Sequence, residues 1–224
     1  SVDGSGPRRD NMGDIIAQFN QPQGAGANIY CSPVAWDWEN EVMYVTIYNA
    51  SVVVEIAHDN YQNFREVRRF NVPSPMDGAW WNNILYIHSL SNTSQFQRYD
   101  IAGNNLGAIN MGFSCYGVAT DIENNWLFAQ NTSVAGYPIY VYSINPNGTL
   151  GQQIGTISGI YAANGNVLSY GFDWFYKHSE EGQLWYTKYT TQQVMQYKIN
   201  TANWTMVGNA AVRSFSVGIN QLYD

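Results

Sequence analysis

The chain alternates short apolar runs with polar turns. Four of these runs are rich in aromatic and branched residues: Val42-Met43-Tyr44-Val45, Ile84-Leu85-Tyr86-Ile87, Trp126-Leu127-Phe128-Ala129 and Leu184-Trp185-Tyr186-Thr187. Runs of this length and composition, bounded by Gly, Asn and Pro, predict strands. Each is followed by a turn and a second strand with a shared ending: Val54-Glu55-Ile56, Tyr99-Asp100-Ile101, Tyr142-Ser143-Ile144 and Tyr197-Lys198-Ile199. The endings recur at about 45, 43 and 55 residues, the period of a four-stranded repeat.

Two further strands complete each unit. Upstream lie Pro33 to Trp36, Met76 to Ala79, Gly117 to Thr120 and Gly171 to Trp174, with Ser216 to Ile219 reading as a fifth copy. Downstream lie Glu66 to Phe70, Leu106 to Met111, Gln153 to Ile157 and Met206 to Ala210, with Ile15 to Phe19 as a fifth copy. The order is therefore a-b-c-d, repeated four times, with a d strand before the first set and an a strand after the last. No sustained 3.6-residue periodicity competes with this reading.

The inner strands are apolar on both faces, which fits sheets sandwiched between neighbours better than a barrel or a two-sheet sandwich. The expectation is an all-β chain, a β-propeller of four-stranded antiparallel blades. Five blades are expected, the last shared by the N- and C-terminal strands and incomplete. Residues 1–13 read as a flexible N-terminal segment, and 14–224 as one propeller domain. An incomplete blade would expose a strand edge and invite self-association.

This strand grammar resembles secreted bacterial propellers of the broad NHL and lyase-like type. The resemblance covers most of the chain at the level of blade pattern. It comes without a Trp-Asp blade ending, a repeated Asp-box or a Gly-Gly kelch pair. Such propellers include hydrolases, lyases, lectins and scaffolds, so the likeness implies a fold and no particular activity.

Composition narrows the function classes. Charged residues are 12% of the 224, aromatics 15%, and the net charge is −7 with ten basic residues. A nucleic-acid partner needs a basic stripe to neutralise phosphates, and none is present. The alternating Arg65, Glu66, Val67, Arg68 and Arg69 read as a charged edge strand. No stretch of 18 apolar residues predicts a membrane span. The opening Ser1 to Gly6 reads as the front of a mature or trimmed chain, and the expected location is secreted or cell-surface.

Candidate chemistry is sparse. Cys31 and Cys115 hold equivalent places in the first and third units, where a cross-channel disulfide is conceivable and two buried thiols are the simpler reading. His58, His88 and His178 fall at different blade positions and read as structural or solvated. Asp37 and Asp121 are equivalent, and Asp77 and Asp173 lie two residues earlier in their copies. Paired acids across a channel mouth suit glycoside hydrolysis only at separations of about 5 to 10 Å. Sequons at Asn49, Asn92, Asn131, Asn147 and Asn203 include three that recur at b–c turns, a place Asn favours on backbone grounds.

The remaining signal is aromatic. The d–a connections carry Tyr30, Tyr116, Tyr161 and Tyr170 toward the face where ligands of propellers commonly sit. Tyr offers an apolar ring with a polar tip, suited to sugars and protein surfaces alike. The expectation is a non-catalytic, extracellular binding or adhesion module for a glycan or surface protein, with those four tyrosines as its site. No cofactor or metal is expected. A structural subunit completed by a neighbour's strands, and a small lyase or glycoside hydrolase, stand as alternatives.

Overall fold

The computed structural model describes residues 22, 31–37, 40–59, 62–169, 171–175, 181–191 and 193–216. Four antiparallel sheets follow one another along the chain, each with its strands in chain order. The first blade holds β1 (Cys31–Asp37), β2 (Val42–Ile47), β3 (Val52–Asp59) and β4 (Gln62–Asn71). The second holds β5 (Pro75–Trp81), β6 (Ile84–Ser89), β7 (Gln95–Asp100) and β8 (Asn105–Asn110). The third holds β9 (Cys115–Asp121), β10 (Trp126–Asn131), β11 (Ile139–Ile144) and β12 (Leu150–Ile157). A single helical turn, α1 (Ile160–Ala163), leads into the fourth. That blade holds β13 (Phe172–Phe175), β14 (Glu181–Lys188), β15 (Gln193–Asn200), β16 (Thr205–Met206) and β17 (Arg213–Ser216).

The blades are arranged as a propeller because every inner strand must bury two faces. All six residues of β2 are buried. Val42 and Tyr44 turn toward the second blade, where they meet Trp80, Leu85, Ile87 and Tyr99. Met43, Val45 and Ile47 form part of a second buried cluster on the opposite face. The next interface packs Trp81, Tyr86 and Phe96 on Cys115, Leu127 and Ile144. The third packs Phe128 and Val141 on Trp174, Leu184, Tyr186 and Tyr197. Burying a large side chain fully is worth about 1.5–3 kcal/mol, so these interfaces dominate the stability of the ring.

Several polar groups inside the interfaces are paired from blade to blade. Tyr86 Oη–H donates to the carbonyl of Gly148 (2.9 Å), and Thr120 Oγ1–H to that of Trp80 (2.7 Å). Trp81 Nε1–H donates to Asn125 Oδ1 (3.1 Å), and Trp174 Nε1–H to Asp121 Oδ2 (2.9 Å). Phe128 stacks on Trp174 with ring centroids 4.4 Å apart. Such bonds satisfy atoms that burial would otherwise strand.

Five blades were expected; the described residues form four. The predicted outer strand Met206 to Ala210 is only the stub β16, interrupted at Gly208, whose φ of +82° suits glycine. Val207 N–H and Val212 N–H both return to β15, on the carbonyls of Lys198 and Gln196 (2.8 Å each). β17 then pairs with β15 from Gln196↔Arg213 to Gln193↔Ser216. Residues 205–216 are thus one interrupted outer strand of the fourth blade. Ser216, read as opening a fifth a strand, ends it instead. The predicted strand Ile15 to Phe19, the segment 1–13 and residues 217–219 lie outside the described residues.

β4 is the outer edge of its sheet, as its charges suggested. Arg65 pairs with Asp59 (3.0 Å), Arg68 with Glu55 (2.6 Å) and Arg69 with Glu66 (2.6 Å). Exposed pairs add little stability; charged side chains on an edge deter another chain from pairing there.

Trp174→Phe keeps the stacked ring but strips Asp121 of its indole donor. Urea unfolding should show a loss of about 2 kcal/mol, in the range for one hydrogen bond to a charged group. An unchanged midpoint would remove this bond from the account of the third interface.

Candidate functional site

The b–c and d–a connections meet on one face of the ring. The connection entering β9 is bound to both neighbouring b–c turns. Cys115 N–H donates to the carbonyl of Thr93 (2.9 Å), and Thr132 N–H to that of Ser114 (2.8 Å). Ser114 N–H donates to Ser133 Oγ (2.9 Å). Farther round, the connection from β12 to β13 folds α1 over the b–c loop of the third blade. This face is therefore held by backbone bonds, with side chains free to project from it.

The predicted tyrosines do not act as one set. Tyr161 lies on α1, half-buried, and meets Tyr137 of the b–c loop edge-to-face at 4.6 Å. Tyr116 lies elsewhere, second in β9 and half-buried, with its ring 5.6 Å from that of His88. Tyr30 and Tyr170 lie outside the described residues. Tyr137 was missed in the sequence because it belongs to a b–c loop rather than a d–a connection. Its neighbour Pro138 and the small residues Ser133 to Gly136 mark that loop as an exposed projection, which is the signal available.

Beneath α1 lies a buried polar network. Gln130 Nε2–H donates to Tyr186 Oη (2.6 Å), which also accepts Ser169 N–H (3.1 Å). Ser169 Oγ contacts Thr187 Oγ1 (2.5 Å) and the carbonyl of Gly171. Tyr197 Oη–H reaches Asn164 Oδ1 (3.3 Å), and Asn164 Nδ2–H caps the carbonyl of Val167 (2.9 Å). This network fixes the path of the chain below Tyr161.

The carboxylates divide by role. Asp37 and Asp121 are equivalent, as their spacing indicated, and both close a–b turns. Asp37 accepts Asn40 N–H (3.2 Å) and Nδ2–H (2.7 Å); Asp121 accepts the same groups of Asn124 (2.9 and 3.0 Å). Asp77 instead crosses between blades, its Oδ2 accepting Val118 N–H at 2.8 Å. A Cβ on Gly171 would stand 3.1 Å from Asp77 Oδ1, and one on Gly117 would strike the Phe172 ring at 2.7 Å. Gly117 also has φ +74°, so shape and backbone both require glycine there.

Asp77 is thus wedged where the first strands of blades two, three and four converge. Burial pushes its carboxyl well above the usual range, against the opposing effect of the Val118 and Gly78 backbone donors. The negative charge of Asp173 adds to the rise. Asp173 is itself raised by the surrounding protein, although its side chain touches solvent. Two acids do approach one another inside the ring, but one of them is locked to a backbone amide.

His88 is the chemical anomaly. It is wholly buried in β6, cross-strand from Asp77, with Phe96 and Tyr116 edge-on to its ring. Neither ring nitrogen has a hydrogen-bond partner of good geometry. Desolvation lowers it to about 4, offset in part by the backbone of Cys115. Cys115 is a free, buried thiol, so the conceivable bridge to Cys31 is not formed. Its Sγ–H points to the carbonyl of Thr93 (3.0 Å), and burial pushes the thiol up to about 12. His58 packs between Trp36 and Phe64, and His178 lies outside the described residues. Among the described residues, no three His, Cys, Asp or Glu side chains gather as a metal site, and no helix is long and apolar enough to cross a membrane.

No family model and no curated protein matches this chain. Solved structures do. A chain of hydrazine synthase from Kuenenia stuttgartiensis is 10% identical with a TM-score of 0.55, over 88% of this chain and 53% of that one. A functionally unknown protein from Desulfotomaculum acetoxidans DSM 771 is 10% identical with a TM-score of 0.54, over 86% and 63%. A chain of the mitotic checkpoint complex is 14% identical with a TM-score of 0.50, over 85% and 54%. At such identities the likeness shows the β-propeller-like fold alone. This chain spans between about half and two thirds of the length of these structures.

His88 and Asp77 bend stability in opposite directions with pH. A folded value near 4, against 6.5 unfolded, means that acid protonates the unfolded chain first. The contribution of neutral His88 is full above pH 6.5 and is lost as pH falls toward 4. On the order of 3 kcal/mol is at stake over that window. His88→Leu should flatten this part of a stability–pH curve measured by urea unfolding; an unaltered slope would mean that His88 meets water. Asp77, raised in the fold, favours folding most at pH below its unfolded range and loses that advantage as pH rises through its folded value. Asp77→Asn should therefore be at least as stable as wild type at pH 7, and a clear destabilisation there would contradict the burial assignment.

Proposed function

We propose that this chain is a non-catalytic, extracellular binding module that takes a glycan on the face formed by its b–c and d–a connections. The observation that carries this reading is the corner made by Tyr137 and Tyr161. Both rings are half-exposed, perpendicular and 4.6 Å apart, and they project from loops that the backbone holds in place. A fixed aromatic wall gives the apolar face of a sugar ring a surface at little entropic cost, and the phenol oxygens can reach its hydroxyls. The loop beside it, Asn131-Thr132-Ser133, is polar and uncharged, which suits an array of hydroxyl groups.

The carboxylates support binding over hydrolysis. Glycoside cleavage calls for two carboxyls facing one sugar, one of them free to give or take a proton. Here Asp37 and Asp121 are engaged in turns, Asp77 with Val118 N–H and Asp173 with Trp174 N–H. The low share of charged residues, 12%, favours a partner recognised by stacking and neutral hydrogen bonds over one held by broad charge.

A glycan array probed with the purified chain tests this reading. Binding to a defined set of oligosaccharides is expected, and Tyr161→Ala or Tyr137→Ala should each weaken it about tenfold, the usual cost of removing one stacking partner. Failure of the folded wild type to bind any glycan would overturn the proposal. So would full retention of affinity in the double variant.

A further inference from the structure

Lys188 stands apart from the other cations whose side chains the structure describes. Arg65, Arg68 and Arg69 each hold a carboxylate. The guanidinium of Arg98 donates to the carbonyls of Leu106 (2.8 Å), Gly107 (3.4 Å) and Asn147 (3.3 Å). Lys198 is engaged as well. Lys188 is half-buried at the end of β14, and among the described residues it has neither an ion-pair partner nor a hydrogen-bond acceptor. A half-buried lysine buries its stem and leaves its ammonium, with three donors and no described acceptor, available to a ligand.

Its place is beside the proposed site. A Cβ on Gly165 would lie 3.0 Å from Lys188 Nζ. Gly165 belongs to the turn that ends α1, tied back by Gly165 N–H to the carbonyl of Ala162 (3.0 Å) and Asn166 N–H to that of Tyr161 (2.9 Å). A side chain at Gly165 would press on the ammonium, and the φ of +74° there favours glycine on backbone grounds as well. Lys188 also follows Tyr186 by two residues and so shares its face of β14, and Tyr186 lies close enough to Tyr161 to sense its charge. The ammonium and the tyrosine corner thus flank one short turn of chain.

We propose that Lys188 forms an anion subsite next to Tyr137 and Tyr161, so that the ligand is an acidic glycan whose carboxylate or sulfate meets the ammonium while a ring stacks on the tyrosines. This rests on the glycan-binding reading and adds the charge of the sugar to it. Tyr161 and Tyr137 supply affinity for any sugar presented there. Lys188 supplies the preference among sugars, because the ammonium pairs its charge only with an anionic substituent and makes a weaker hydrogen bond with a neutral one. In a chain of net charge −7, a single placed cation discriminates without attracting polyanions at large.

The test is titration calorimetry of the whole chain with three probes: a uronic-acid oligosaccharide, its methyl ester and a sulfated oligosaccharide. The wild type should prefer at least one anionic probe to the neutral ester by on the order of tenfold, and the preference should shrink with added salt. Lys188→Gln should abolish the preference while leaving the ester's affinity unchanged, and Lys188→Arg should retain most of it. Which anionic probe binds tighter separates the carboxylate from the sulfate. Equal binding of acid and ester, with Lys188→Gln silent, overturns the subsite and leaves the glycan reading standing. Equal loss for all three probes, with a lowered unfolding midpoint, assigns Lys188 to holding the end of α1 and also overturns it. Tighter binding of a poly-glutamate peptide than of any sugar would overturn it in favour of a protein partner. No binding of any probe by the folded wild type, together with a blank glycan array, removes both proposals.

Discussion

Burial on two faces is the constraint on which this protein depends. A blade such as β1 to β4 cannot stand alone, since all six residues of β2 are buried, on both of its faces. Each sheet becomes stable only when its neighbour is present, and the two-sided apolar character of the b strands is the written form of that requirement. The polar bonds between blades follow from it. Once Trp81, Tyr86 and Trp174 are placed in an interface, their N–H and O–H groups must find acceptors across it, and Asn125, Gly148 and Asp121 provide them.

The same constraint explains what could be read in the sequence. Strands a, b and c were legible because their apolar residues recur at a fixed distance from turn residues, and both features survive in all four units. The outer strand was harder, since it packs on little and carries a weak pattern: β8 is exposed at five of its six positions. The error in blade number arose there. Met206 to Ala210 and Ser216 to Ile219 read as parts of two blades because residues 211 to 215 between them lack a strand signal. Pairing along β15 joins them, and pairing is a property of the partner strand that linear pattern does not carry.

The face that carries the proposed site was partly legible. That Tyr161 would project there followed from its place in a d–a connection. That Tyr137 would meet it did not, because the contact joins connections of different kinds. The roles of the acids were hidden for a similar reason. Asp37 and Asp121 announce themselves by the Asn three residues on, whereas the partner of Asp77 is the amide of Val118, 41 residues away and on another blade. The buried His88, set in an otherwise ordinary b strand, has no linear signature at all.

Among the described residues every sheet is a meander in which each strand binds the one before it, except that β17 passes over the stub β16 to pair with β15, and no described strand waits for a distant segment before it can pair. A nascent chain can therefore assemble from its front as it emerges, one hairpin after another, each finished blade offering a template for the next. The loop-closure entropy of each step is small, since the partners are joined by short turns. The hazard lies in the intervals, when a completed sheet shows an uncovered apolar flank until its successor arrives. The rim of paired charges on β4 is well placed to keep the earliest blade from joining a neighbouring chain during that wait.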